Sequence, residues 1–140
     1  MVAPVVVGVD GSAESLAAAE WAAREAVRRE RPLCLLHAWN WQPSRRQGEI
    51  DAAARRHLAR RVLREAEDRV RAAYPGVHVF DEQVEGSAIG VLVKAADESD
   101  LLVVGSRGLS GFTGFLVGSV ALGVVAGASR PVVLVRAGEE

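Results

Sequence analysis

Residues 105–120, GSRGLSGFTGFLVGSV, place glycine at 105, 108, 111, 114 and 118, directly after the apolar run LLVV. Glycine at the end of a buried strand admits positive φ and lets a ligand approach the backbone, which is what Gly105 and Gly108 offer. Gly118 and Ser119 then open the last predicted helix. A helix N-terminus presents unpaired N–H groups and a positive dipole end, a ready site for phosphate. Ser119 adds a hydroxyl donor. The spacing Gly105-x2-Gly108-x9-Gly118-Ser119 therefore reads as a lid and cradle around a phosphate chain. A glycine-rich loop without a ligand is the alternative, because glycine patterns are common by chance. Asp10, in the opening VVVGVDGS, supplies a carboxylate that can accept from a ribose hydroxyl or help hold a metal ion bridging the phosphates.

Other phosphate signatures do not apply. No Gly-Lys-Ser/Thr occurs, and Lys94 lies inside the third predicted helix, so this is not a P-loop. The dinucleotide fingerprint would follow the first strand, where the chain reads VGVDGSAES instead. Nor do the residues support other chemistries. His37, His57 and His78 have no metal-ligand spacing. Ser12, Ser110 and Ser119 lack a neighbouring histidine–acid pair, so a nucleophile would have no base. Asp10 at a strand end suggests a phosphoreceiver, but that needs a second acid beside it and a lysine ending the fifth strand. Arg136 stands there.

Five apolar runs and four segments of helical period must position these residues. The runs are PVVVGV (4–9), LCLLHAW (33–39), VHVFDEQ (77–83), LLVVG (101–105) and PVVLVR (131–136). Three are continuously apolar, as parallel strands covered on both faces are, while the third alternates and reads as an edge. SAESLAAAEWAAREAVRR aligns Leu16, Ala19, Ala23 and Val27, with Glu14 in the first turn near the positive dipole end. The next segment, 49–74, aligns Ile50, Ala54, Leu58, Val62, Ala66 and Val70 and stops at Pro75-Gly76. Its seven arginines are offset by five acids, which reads as a solvated outer face. SAIGVLVKAAD aligns Ile89, Leu92, Val93 and Ala96 behind a Ser87 cap, and SVALGVVAGAS reads as a short packed helix. Strict alternation of strand and helix gives an α/β doubly wound parallel sheet with helices on both faces, in a single domain over 1–140. Such sheets bind ligands outside the carboxyl ends of their strands, where Asp10 and the glycine stretch both fall.

Composition narrows the partners. A formal net charge of −1 provides no bulk attraction to nucleic acid or an anionic membrane. Lys94 is the only lysine among 17 basic residues, which with the many alanines looks like a coding bias rather than a binding surface. Cys34 is the only cysteine, which excludes an internal disulfide, and its apolar run predicts burial. No apolar run approaches the ~20 residues of a membrane span, and the N-terminus lacks a charged leader, so a cytoplasmic protein is expected.

Together VVVGVDGS, LLHAW and VVGSRGLSGFTGFLVGSV…RPVVLVR resemble the universal stress protein family, in its ATP-binding branch, over the whole chain. The resemblance implies a five-stranded sheet of order 3-2-1-4-5, which sets strands one and four side by side. It implies that Gly8, Val9 and Asp10 meet adenine and ribose, with Asp10 also near the phosphates or a Mg²⁺ or Mn²⁺ ion. Ala38 would read the adenine edge through its backbone. Val104 and Gly105 would contact ribose and the α-phosphate. Gly108, Gly118, Ser119 and Val120 would form the phosphate cradle, and Arg107 could add a charge-assisted bond. Trp39 and Trp41 lie where the base would enter, more as rim packing against the 40–48 loop than as stacking partners. His37 is expected to orient or pack. One departure is Glu85-Gly86-Ser87-Ala88, where members often carry proline before the third helix; Ser87 can cap it instead.

The expected function is adenine-nucleotide binding, ATP above all, by a sensor or regulatory module of a stress response. The alternative is a slow ATPase or nucleotide-transferring enzyme of the same fold. Binding is favoured because there is no Walker lysine, no water-positioning residue and no arginine pair flanking the loop. No catalytic residue is assigned. The last strand is uniformly apolar at a sheet edge, and many members of the family pair there, so a homodimer through the C-terminal strand is expected.

Overall fold

The computed structural model describes residues 2–39, 48–106 and 119–136, the first five of the second stretch as backbone only. Its elements are β1 (Val5–Gly8), α1 (Ala13–Arg29), β2 (Leu33–Trp39), α2 (Gly48–Ala73), β3 (Val79–Glu85), α3 (Ala88–Asp97), β4 (Leu101–Gly105), α4 (Ser119–Gly127) and β5 (Val132–Val135). The strands form one parallel sheet in the order β3-β2-β1-β4-β5. This is the doubly wound α/β sheet that the alternation of elements requires.

Side-chain alternation divides the apolar strands between two cores. Val5, Val7, Leu33, Leu35, Leu101 and Val103 face α1 and α2. Val6, Cys34, Leu36, Leu102 and Val104 face α3 and α4. The three inner strands are covered on both sides, and so they carry no polar residue until their carboxyl ends. Helix α1 lies against the sheet through alanines 18, 19, 22, 23 and 26, all buried, whose small side chains permit a close approach.

Four details differ from the pattern read along the chain. The third strand runs two residues later than 77–83, because it pairs along all of β2, from Leu33↔Val79 to Trp39↔Glu85. On α1, Ala26 rather than Val27 takes the next place on the buried stripe, and Val27 is exposed. The stripe of α2 is buried at Val62, Ala66 and Val70 but open at Leu58, because Ala59 takes the buried place on that turn. Helix α4 buries Ala121 and Val124, while Val120, Leu122 and Val125 are exposed together with Ile89 on α3. An α4 apolar on every side has therefore only one covered face.

Candidate functional site

The exit of β1 is held by a tight local network. Gly11 turns the chain at φ +88, in the left-handed region, and a Cβ there would lie 3.3 Å from Val62 Cγ2. Ser12 caps α1: its hydroxyl oxygen accepts from the Ser15 amide at 3.1 Å and donates to Asp10 Oδ1 at 2.6 Å. The Ser12 amide donates to the same carboxylate oxygen at 2.9 Å, and the Asp10 amide donates to Ser15 Oγ at 3.1 Å. Asp10 Oδ2 makes no hydrogen bond among the described residues and is not sealed from solvent. One oxygen orients the carboxylate, and the other faces outward with an acceptor to spare. The serine pair that does this was not assigned a role from sequence, although Ser12 stands where an N-cap should.

At the neighbouring strand end, Gly105 is required for a reason other than the expected one. Its φ is ordinary, but an added Cβ would sit 3.0 Å from Glu14 C and Cβ and 3.1 Å from Glu14 O. The first turn of α1 presses directly on β4 there. Glu14 is buried, and the Ser106 hydroxyl donates to its Oε2 at 3.2 Å. The Ser106 amide donates to the Val135 carbonyl at 2.8 Å, so the take-off of the glycine stretch is clamped between α1 and β5. Similarly, Gly8 admits Leu92, whose Cδ2 would be 3.0 Å from an added Cβ. Val104 is buried in the α3–α4 core, so only its backbone can serve the crevice.

On the other side of β1, His37 Nδ1 lies 2.8 Å from the Val9 carbonyl. A carbonyl only accepts, so Nδ1 carries the proton, and the ring ties the exit of β1 to the end of β2, one residue before Ala38. This is the orienting role expected of it. Ser119 and Val120, both exposed, begin α4, which has no acidic residue in its first turn. Helix α1 by contrast carries Glu14 in its first turn. The first turn of α4 thus carries no acid to oppose an anion, whereas the positive end of α1 already faces a carboxylate. Arg107, Gly108 and Gly118 lie outside the described residues.

A cavity of about 630 Å³ opens beside Asp10 and Gly11, walled on the α2 side by Leu58, Arg61, Val62, Arg64, Glu65 and Asp68. That volume suits a small organic ligand. No α2 residue had been assigned to the site, because on a helical wheel its polar positions look like an ordinary solvated face. The structure therefore brings Gly8, Val9, Asp10, Ala38 and Gly105 to one end of three adjacent strands. Chemically, this is one outward carboxylate oxygen and several backbone groups, with α4 beginning on a turn that carries no acid. Among the described residues no group of three or more His, Cys, Asp or Glu side chains is arranged to hold a metal ion.

Three comparisons agree on the kinship. The model of the "Universal stress protein family" matches residues 1–136. A universal stress protein of Mycobacterium tuberculosis strain H37Rv is 40% identical over 134 residues, covering 96% of this chain and 45% of the relative. One from Mycobacterium bovis is 39% identical over 145 residues, with 96% and 44% covered. The chain thus spans just under half the length of these curated relatives. Among solved structures, a universal stress protein in complex with cAMP is 34% identical with TM-score 0.69, over 99% of this chain and 100% of that one. The Archaeoglobus fulgidus universal stress protein in complex with dAMP is 26% identical with TM-score 0.70, covering 96% and 99%. With the family model spanning nearly the whole chain and curated relatives about 40% identical along it, this chain belongs to the universal stress protein family.

Proposed function

We infer that this chain binds an adenine nucleotide across the carboxyl ends of β1, β2 and β4, and acts as a sensor or regulatory module in a stress response. The observation that carries the reading is the pairing of two features at this end of the sheet. Asp10 presents a free, oriented carboxylate oxygen, and α4 opens with no acid in its first turn. Ribose hydroxyls donate to the first, and phosphates are drawn to the second. The backbones of Gly8, Val9 and Ala38 line the base and ribose, with Val104 and Gly105 next to the α-phosphate. Ser119 and Val120, with Arg107, Gly108 and Gly118, take the remaining phosphates. The cAMP and dAMP complexes of related proteins support this choice of ligand class.

ATP is the ligand we propose, with Mg²⁺ or Mn²⁺. The residues fit such an ion only as a companion of the nucleotide: Asp10 would supply one carboxylate oxygen beside the phosphates and water, as Mg²⁺ prefers. When bound, the ion neutralises phosphate charge; the protein orients Asp10 through Ser12 and holds the chain of phosphates at the helix end. Among the described residues nothing at the site pairs a base with a nucleophile; we read binding rather than turnover as the role, with a slow ATPase as the second reading. The protein works in the cytoplasm and as a homodimer through β5. Half-exposed apolar residues on α4 and Leu134 on the edge strand support that pairing, since a partner's β5 and α4 would cover both.

Isothermal titration with ATP tests the reading. Ser119→Glu sets a like charge at the helix end, and Asp10→Asn keeps the Ser12 contacts but removes the anion. Each should weaken ATP at least ~10-fold, equivalent to ~1.4 kcal/mol. Wild-type affinity in both variants rejects the site.

A further inference from the structure

Helix α2 covers β2 and β3 on one face of the sheet, but the other face is covered unevenly. There α3 lies over β2, β1 and β4, with α4 packed beside it. The β3 edge is left largely open on that side. Strand alternation and the register Cys34↔Phe80, Leu36↔Glu82 turn Phe80, Glu82 and Val84 toward the α3 side. Phe80 is 39% exposed, Glu82 is exposed, and Val84 is only half-buried.

A groove of about 430 Å³ runs between this strip of sheet and α3. Gly86, Gly90, Lys94 and Glu98 mark successive turns along it, so it follows all ten residues of α3, a length of about 15 Å. Leu36 and Val84 of the sheet and Val91 and Ala95 of α3 make part of its lining apolar. Glu82, Glu85 and Glu98 stand along it, and Lys94 is the only cation among them. Apart from a 3.7 Å contact from Cys34 Sγ to Glu82 Oε1, these four charged side chains make no hydrogen bond or ion pair with any described residue. Covering unpaired carboxylates with a neutral or acidic surface is unfavourable, whereas a basic surface complements them.

We propose that this groove is the docking surface for a basic amphipathic helix of another protein. Its apolar stripe would lie on Leu36, Val84, Val91 and Ala95, and its lysines or arginines would meet Glu82, Glu85 and Glu98. The shape calls for a helix. One packed beside α3 at an interaxial distance of about 8–10 Å would rest on β2 and β3, strands about 4.8 Å apart, as α2 does on the opposite face. Apolar residues at i, i+3, i+4 and i+7 would then follow the groove, the usual pattern of a helix seated in one. The excess of carboxylates turns away phosphate-rich partners such as nucleic acid. Neither Asp10, nor Gly105, nor any residue of α4 lines the groove, so helix docking does not depend on nucleotide binding.

Fluorescence anisotropy of the full chain with a labelled synthetic helix tests this. The helix has about 14 residues, leucine at i, i+3, i+4 and i+7 and lysine elsewhere, and is ~20 Å long. It should bind with a Kd below ~50 μM, and its glutamate-for-lysine counterpart at least ~10-fold more weakly. Glu85→Lys combined with Glu98→Lys, both at exposed positions, should weaken the lysine helix at least ~10-fold. Ala95→Arg, which leaves the carboxylates in place and sets a long cation in the groove, should weaken it too. Glu65→Lys combined with Asp68→Lys makes the same change in net charge on α2 and should stay within about twofold of wild type. Equal losses in the two double variants would reduce the effect to bulk charge and overturn the groove. So would wild-type affinity in the Glu85/Glu98 variant, or no binding of the lysine helix to wild type. Tighter binding of a peptide of the same composition with leucine and lysine alternating would mean that a strand adds to the β3 edge instead. A change in the chain's own mass by light scattering on the Glu85/Glu98 reversal would make the occupant a second copy and overturn the choice of a foreign helix.

Discussion

Gly105→Ala isolates the contact between the first turn of α1 and the exit of β4. The substitution adds one methyl carbon, and its position is set by the backbone: 3.0 Å from Glu14 C and Cβ and 3.1 Å from Glu14 O. Two of those three neighbours are main-chain atoms of a capped helix, held by the Ser12 network, and they cannot rotate aside as the tip of a long side chain can. The φ at 105 is ordinary, so strain of the alanine backbone is not part of the effect. Relief requires α1 to move by several tenths of an ångström from a sheet it touches through buried alanines. Overpacking of this kind costs about 1–3 kcal/mol. For a domain of this size each kcal/mol lowers the melting midpoint by about 3 °C, so a fall of about 3–10 °C is expected. Gly76→Ala is the control, since nothing lies within 4 Å of a Cβ built there. It should be neutral or raise stability by about 0.4–1 kcal/mol through the unfolded chain. Thermal unfolding followed by circular dichroism reads both. Equal midpoints for Gly105→Ala and wild type would show that α1 does not press on β4 as described. Equal losses in the two variants would show that the effect is generic to glycine replacement.

Ser12→Ala removes the cap of α1 and one of two donors to Asp10 Oδ1, and should cost about 1 kcal/mol, read from urea midpoints, with Ser12→Asp nearer wild type. Burial, and then Glu82, pushes the Cys34 thiol from 9.0 up to about 12. The native protein at pH 8 should therefore resist a disulfide reagent that titrates one thiol after unfolding; prompt native reaction would contradict that burial. Because the folded value lies above the unfolded one, Cys34 favours the native state below about pH 9 and loses that contribution as pH rises toward 12. Light scattering after gel filtration should give a dimer mass at ~50 μM and a monomer for Leu134→Arg, since K_d values of stable pairs lie below that concentration; a dimer in the variant moves the interface away from β5. Phosphate release from ATP should stay under about one per second, below the ~10 s⁻¹ typical of enzymes, and faster turnover that Ser119→Glu abolishes would favour the enzyme reading.

The elements themselves were legible along the chain because their period is local. Continuous runs such as LCLLHAW can only be strands buried on two faces, and the stripe Val62, Ala66, Val70 can only be a helix on a core. Glycine spacing and the lone aspartate after VVVGV likewise pointed to the end of the sheet where the candidate site lies. Nothing local carried the strand order, which came from the family resemblance, since periodicity says which face is apolar and not which strand lies beside which. Tertiary structure also decided what each residue meets. Gly105 reads as room for a ligand and in the fold also makes room for α1; Glu14 reads as a dipole partner in a first turn and is buried against Ser106. Leu58 looked like one more core position and stands open in a cavity. The physical reason is common to the three. Burial depends on where one element ends against another, and a chain's own periodicity holds no record of its neighbour's length.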